Sequence, residues 1–268
     1  WREASFNSQG DVFRVYTVCN LVSQSDNWLR LPYIDRNGAN RLYVEIQFTM
    51  RRCVKYPDPQ RLQQCKESFQ LKYYEAESDF ANSERPTWDS DTYTHIDVIA
   101  ADKTFTDIDE SIINTETRDI AITRRGVYFA IRDQGACTTI ISVRVYYIMC
   151  PSVILNFTVF PNTTTGPDRS SIIQQNGVCV SHAAMEKPPS YLCKGDGTWS
   201  LLTGGCKCMP GYEPDGDGND QACKRKWNPC LPSGLVLFSF LGFCFLAAVV
   251  VDVVVVVVVV VTLSFSTQ

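Results

Sequence analysis

The chain of 268 residues is poor in histidine and methionine, with two and four, and it has no excess of positive charge. Lys and Arg number 25 against 29 Asp and Glu, a formal net charge of -4. Nucleic-acid surfaces cluster excess basic charge, so no nucleic-acid partner is expected. The two histidines, His95 and His182, lie far apart, and the one close cysteine pair is Cys206-x-Cys208. Zinc sites want paired C-x2–4-C spacings or His partners, so no metal is expected. Asp215, Asp217 and Asn219 resemble the start of a calcium loop. Its sixth position is Asp220 rather than Gly and its twelfth is Lys226 rather than Glu, which favours a solvated turn. No Gly-rich phosphate loop, G-x-S-x-G elbow or D-F-G element occurs. Asp107 and Asp109 sit in a polar stretch that suits a surface better than acid–base work. No catalytic residue, no cofactor and no enzyme activity are expected. The first residue is Trp1 and no signal peptide is visible, so the chain is expected to be an incomplete or processed product.

Cysteine is abundant, with 12 residues running from Cys19 to Cys244. That usage fits an oxidising compartment better than cytosol. Eleven of the twelve precede the apolar tail, and an odd number leaves at least one thiol without an intramolecular partner. Asn156-Phe157-Thr158 and Asn162-Thr163-Thr164 are glycosylation sequons, which agree with export and mark Asn156 and Asn162 as candidate glycan sites.

Three zones follow one another, where length alone predicts one or two domains. Residues 1–150 are rich in β-branched and aromatic residues. Leu42, Val44, Ile46, Phe48 and Met50 alternate with Arg41, Tyr43, Glu45, Gln47 and Thr49. The pattern recurs at Ile141, Val143, Val145, Tyr147 and Met149, at Val127, Phe129 and Ile131, and at Phe69, Leu71 and Tyr73. Period two predicts half-buried strands. Turn clusters such as Asp35-Arg36-Asn37-Gly38 separate them, and many short strands without a helical period predict an all-β antiparallel sandwich or barrel. In residues 150–230 cysteines crowd together, and disulfide-rich modules are expected in which bridges replace a core too small to suffice. Residues 231–268 form an apolar, low-complexity tail, in which 235–261 is almost wholly apolar and long enough to cross a bilayer. Asp252 lies inside that run and Lys224-Arg225-Lys226 lies on the side that would be extracellular; both count against an evolved span. Trp28, Tyr146 and Tyr147 are expected to pack rather than recognise a ligand.

Several strings carry a resemblance. VCNL at residues 18–21, NWLR at 27–30, YVEIQFTMRRC at 43–53, CKESFQLKYYEAESD at 65–79, HIDVIAADKTFTDID at 95–109, RGVYFAIRDQGAC at 125–137 and SVRVYYIMCP at 142–151 occur in one order. Together they resemble the ligand-binding domain of Eph receptor tyrosine kinases, over residues 1–150. Downstream, Cys150, Cys179, Cys193 and Cys206, with Asp196-Gly197-Thr198-Trp199, are similar to the family's sushi module at 150–206. CKCMPGYE at 206–213 and QAC at 221–223 are similar to the start of its EGF-like part, partial here at 207–230. Asp220 stands where the family has a second cysteine, leaving Cys223 as the only nearby substitute partner for Cys208. The fibronectin repeats, kinase and helical domain of the family are absent from the chain.

The resemblance implies a jelly-roll β-sandwich that binds ephrins anchored on a neighbouring cell, with receptor self-clustering and residues 1–230 outside the plasma membrane. An apolar ephrin loop would enter a channel lined partly by a disulfide, matched here by Cys19 and Cys137. Cys53–Cys65 would close the loop between them, and Cys150–Cys193 and Cys179–Cys206 would bridge the sushi part. Arg51 matches the family's arginine that pairs with an acidic residue of the ephrin. An arginine beside a disulfide-closed loop offers a rigid fork to a carboxylate; without the resemblance it reads as a solvated strand-end charge. Arg52 replaces the family's usual acidic residue, and the loop 55–64 is longer than the family's. A carbohydrate-binding sandwich and a secreted ephrin decoy are the alternatives, and fold alone does not choose between ligands.

Overall fold

The computed structural model describes residues 1–8, 11–20, 25–53, 65–104, 112–218, 220–226, 256–259 and 266–267. These form two compact units. The first holds residues 1–148, 166–168 and 256–268, and the second holds 149–165 and 169–255.

The first unit is built from β1 (Arg2–Ser8), β2 (Asp11–Cys19), β3 (Asn27–Arg30), β4 (Ile34–Asp35), β5 (Arg41–Met50), β6 (Ser68–Ala76), β7 (Thr94–Ala100), β8 (Asn114–Ala121), β9 (Gly126–Asp133) and β10 (Cys137–Cys150). One sheet runs in the order β1-β2-β10-β5-β8, the other β3-β9-β6-β7 with β4 on β9, and the pairs are antiparallel. A single core cluster joins the sheets. Leu42, Val44, Ile46, Phe48 and Met50 of β5 meet Leu29, Phe69, Leu71, Val127, Phe129 and Ile131 of the second sheet. Phe48 and Phe69 pack edge to face, centroids 5.0 Å apart. This is an antiparallel β-sandwich, consistent with the jelly roll, and fully burying side chains of this size contributes about 1.5–3 kcal/mol each. The turn into β5 uses Asn37 and Gly38 at φ 49° and 79°, with the Asp35 carboxylate accepting from Asn37 N at 2.8 Å. Asn and Gly tolerate that left-handed backbone.

Two strand expectations need correction. The half-burial expected of β9 does not hold, because Tyr128 and Ala130 are buried as well as Val127, Phe129 and Ile131. The segment 79–93 covers the outer face. Tyr128 Oη donates to Asp79 at 2.7 Å and accepts from Phe80 N at 2.8 Å, and Arg30 donates to the carbonyls of Asn82 and Arg85. Trp28 is buried there, in a small cluster with Tyr93 and Ala130, while its neighbour Leu29 faces the main core. The alternation expected from Ile141 breaks at a register shift between Ile140 and Ser142, so that Ile140 is the buried residue, while Tyr147 packs against the main core and Tyr146 packs by stacking on Tyr43, centroids 5.3 Å apart.

The second unit holds β11 (Val153–Leu155), β12 (Thr158–Phe160), β13 (Thr163–Thr164), β14 (Ile172–Asn176), β15 (Val178–Cys179), β16 (Ala183–Lys194), β17 (Trp199–Cys208), β18 (Tyr212–Asp215) and β19 (Ala222–Arg225). They form small sheets, β11-β12-β15 and β14-β16-β17, and the hairpin β18-β19. Cys150–Cys193, Cys179–Cys206 and Cys208–Cys223 bridge it. Phe160 is fully buried against Tyr191 and Trp199, which stack at 4.8 Å, and Trp199 Nε1 donates to the Pro151 carbonyl. So little apolar material needs covalent help.

Of the apolar run 235–261, all but Val256–Val259 lies outside the described residues. That piece is a strand, β20, whose backbone pairs with β10 from Val145↔Val259 to Ile148↔Val256. A further short strand, β21 (Ser266–Thr267), pairs with β3. Among the described residues no helix is long and apolar enough to cross a membrane. Asp107, Asp109, Asn219, Cys230, Cys244, Asp252 and the loop 55–64 also lie outside the described residues.

Candidate functional site

Register decides where the candidate residues meet. β10 begins at Cys137, directly opposite Cys19, the last residue of β2, and the two are bonded with Cα atoms 4.1 Å apart. On the other side of β10, β5 runs on past Met50, and Arg51 N donates to the Cys137 carbonyl at 2.9 Å. Arg51 is half-buried, Cys137 buried and Cys19 exposed. One strand end therefore gathers Arg51, Cys19 and Cys137.

The second bridge follows at once. Cys53 is bonded to Cys65, across a separation of 12 residues. Both ends of that ring are held to the domain: Cys53 N donates to Glu67 Oε1 at 2.7 Å, and Lys66 N donates to the Gly135 carbonyl at 2.9 Å. Arg52 Nε donates to Thr104 Oγ1 at 3.0 Å, so the residue that replaces an acid in the resemblance is engaged with a neutral hydroxyl.

Asp133 braces the turn that delivers Cys137. Its side chain is fully buried and accepts from Ala136 N at 2.8 Å, Gly135 N at 3.3 Å and Asn27 Nδ2 at 3.3 Å. Burial pushes the carboxyl above its ordinary value, against the pull of those three donors. An acid whose pKa is raised on folding binds its proton more tightly in the native state. Below that raised value, and above the unfolded one, stability therefore rises as pH falls. Asp133→Asn removes this contribution. The stability of wild type relative to the variant is expected to increase as pH falls towards the ordinary carboxylate value of about 4 in denaturant titrations, and a constant gap would contradict the assignment.

A cleft of about 510 Å³ opens beside the bridge, lined by Trp1, Arg2, Thr17, Cys19, Asn20 and Asn27 among others. Sequence reasoning missed Trp1, Arg2, Asn20 and Asn27. None carries a spacing signal, and only the β2–β10 register and the pairing of β3 with β9 bring their neighbourhoods together. Arg2 adds a second cation on the Cys19 side.

The remaining candidates lie in the second unit. Asn156 and Asn162 are exposed. Asp215 pairs with Lys224 at 2.5 Å, and Asp220 N closes a turn on the Asp217 carbonyl. Among the described residues no group of three or more metal-binding side chains comes together.

Comparison with known proteins places this arrangement. The family model described as ephrin receptor ligand binding domain matches residues 1–150. The chain belongs to that family. A second model, the ephrin cysteine rich domain, matches residues 151–208. The chain is 40% identical over 230 residues to "Ephrin type-B receptor 3" of Xenopus laevis, covering 84% of this chain and 23% of the relative. It is 41% identical over 231 residues to "Ephrin type-A receptor 4-B" of Xenopus laevis, with the same shares, and 38% identical over 236 residues to "Ephrin type-B receptor 3" of Homo sapiens, covering 87% and 23%. The chain thus spans about a quarter of the length of these relatives. A- and B-type receptors match it about equally, and the family match does not favour the carbohydrate reading.

Proposed function

We propose that this chain captures an ephrin, through the surface where β5 ends against β10, as the extracellular part of a cell-surface receptor. One observation carries the reading: the main-chain bond from Arg51 to Cys137 sets a guanidinium at a doubly bridged, rigid strand end, with the 510 Å³ cleft on the Cys19 side. Arg51 serves as a fork for an ephrin carboxylate, and the bridge Cys19–Cys137 borders the channel that takes an apolar loop. The ephrin is membrane-anchored on a neighbouring cell, the receptor clusters with copies of itself, and the kinase output of such a receptor lies outside this chain. Residues 150–206 serve as a sushi-like module and 207–230 as a partial EGF-like one, bearing glycans at Asn156 and Asn162. The test is biolayer binding of the full chain to A- and B-type ephrin ectodomains. Saturable binding to at least one is expected. A folded chain that binds none contradicts the reading and sends the search to a glycan array.

Single-pass anchoring by residues 235–261 belongs to the same proposal. Its internal Asp252 costs about 2.5–3.5 kcal/mol on insertion scales. A spanning run is unavailable to pair with β10, so Val256–Val259 does one or the other. Anchoring predicts tail peptides in carbonate-washed membranes by mass spectrometry, and their loss to the wash would remove the span from the reading.

A further inference from the structure

We propose that Asn156 carries an N-linked glycan whose first sugar sits in a cleft of the second unit, and that the glycan is attached before this module folds. The inference rests on the exported placement proposed above. β11 and β12 are joined by two residues only, Asn156 and Phe157, both left-handed at φ 48° and 53°. Such a two-residue turn matches the twist of a hairpin, and asparagine is among the few non-glycine residues that accept its backbone. The turn holds the Asn156 side chain in solvent at the mouth of a cleft of about 410 Å³.

The cleft exists because the facing ladder is irregular. Between β16 and β17 the register slips at Met185/Lys187 and again at Lys187/Ser190. Opposite the slips stand Gly204 and Gly205, at φ 68° and 156°, which contribute no side chain. A Cβ on Gly205 would lie 2.9 Å from Asn156 Cβ, so only glycine lets β17 pass this close to the turn, and Asn156 and Gly205 together form one wall of the cleft. Glu186 and Lys187 line the cleft, exposed, and offer an acceptor and a donor to sugar hydroxyls. Phe157 supplies an apolar ring for the sugar's less polar face. Asn162 is exposed as well, its Oδ1 accepting from Ser152 N at 2.6 Å, but it does not line this cleft.

The timing follows from the third residue of the triplet. Thr158 is fully buried, its hydroxyl donating to the Asn156 carbonyl at 3.1 Å and lying 3.3 Å from Cys206 Sγ. The Asn156 carbonyl also accepts from Cys206 N at 2.9 Å. A transferase that reads the Asn-x-Thr triplet cannot reach that hydroxyl once Cys206 is in place beside it, bonded to Cys179. In the transfer, Asn156 Nδ2 loses one proton and bonds to C1 of N-acetylglucosamine. The C1–O bond to the pyrophosphate of a lipid-linked oligosaccharide donor breaks, with its electron pair leaving on the pyrophosphate. Nothing is oxidised or reduced.

The experiment uses the full chain carrying Asn162→Gln, made in a glycosylating secretory host. Glycopeptide mapping should find sugar on Asn156. One portion is trimmed to a single N-acetylglucosamine and another is stripped, and amide hydrogen exchange is compared. Several-fold slower exchange at residues 186–187 and 204–205 in the single-sugar form is expected. An unmodified Asn156 in secreted protein, or equal exchange in the two forms, overturns the proposal. In a second arm, transferase and lipid-linked donor are added to chain made without glycans. Reduced, unfolded chain should be modified and folded, oxidised chain should not, and modification of the folded form overturns the timing. In the first arm a secretion leader is added, so that entry into the secretory path does not depend on the chain's own N-terminus. Ephrin binding measured on the same secreted material reports separately on the parent reading.

Discussion

Arg51→Glu should abolish ephrin capture while leaving the fold intact. Truncating one partner of a close, buried interface charge pair costs about 2–5 kcal/mol, and reversal places like charges face to face, so the loss should be at least that large. Affinity should fall by about thirtyfold to several thousandfold or more, since about 1.4 kcal/mol is a factor of ten. Glutamate keeps the main-chain bond from residue 51 to the Cys137 carbonyl, which ties β5 to β10 at this strand end. Biolayer affinities of the two full chains, matched by circular dichroism and thermal midpoint, give the answer. Equal affinities in two folded proteins would remove Arg51 from the site. Arg52→Glu is the control. Its guanidinium is held by the Thr104 hydroxyl, so the change should act more weakly, mainly through rim charge.

Replacing Cys19 and Cys137 together by serine should give the largest loss of stability. The bridge spans 118 residues of chain. In the chain-entropy treatment such a link is worth about 5 kcal/mol, against about 3 kcal/mol for the 12-residue separation of Cys53–Cys65. Domains of ordinary stability have about 5–15 kcal/mol in all, so the first loss brings the sandwich near its unfolding threshold and the second does not. The two should also differ in kind. Losing Cys19–Cys137 frees the end of β2 from β10, beyond which only the pairs from Thr138↔Val18 to Ile140↔Tyr16 remain. Losing Cys53–Cys65 frees a ring whose ends keep their bonds to Glu67 and Gly135, and should weaken ligand capture more than folding. Denaturant midpoints of the two double mutants decide this, and a greater loss from the shorter ring would contradict the account.

Legibility in the sequence followed how local each cause is. The core face of β5 could be read, because a strand with one face on the core records that face at every second position, although Tyr43 and Thr49 of its other face are buried as well. Leu42, Val44, Ile46, Phe48 and Met50 all lie in the core cluster. β9 could not, since its outer face is covered by residues about 50 positions away, through Asp79, Phe80 and Tyr128. Trp28 was legible as buried but not as belonging to that second, outer cluster. Arg51 stood out only through the YVEIQFTMRRC string, because a strand-end arginine has no signature of its own. Trp1, Arg2, Asn20 and Asn27 line the cleft through pairings that no spacing encodes. Cys208 and Cys223 are bonded with Cα atoms 5.5 Å apart, closing the β18–β19 hairpin onto the end of β17, where composition had left Cys223 only as the nearest substitute. Length alone does not decide the valine run, because a β-branched segment suits a sheet edge as well as a bilayer, and the backbone of Val256–Val259 pairs with β10.

Amide hydrogen exchange of the full chain, with and without a saturating ephrin ectodomain, tests the central claim most directly. The account predicts slowed exchange in the ephrin complex at residues 50–53, 65–67 and 135–139 and along the cleft at 17–20, with the outer cluster around Trp28, Trp88 and Tyr93 unchanged. Slowed exchange confined to other surfaces, with the strand end at Arg51 and Cys137 untouched, would contradict it.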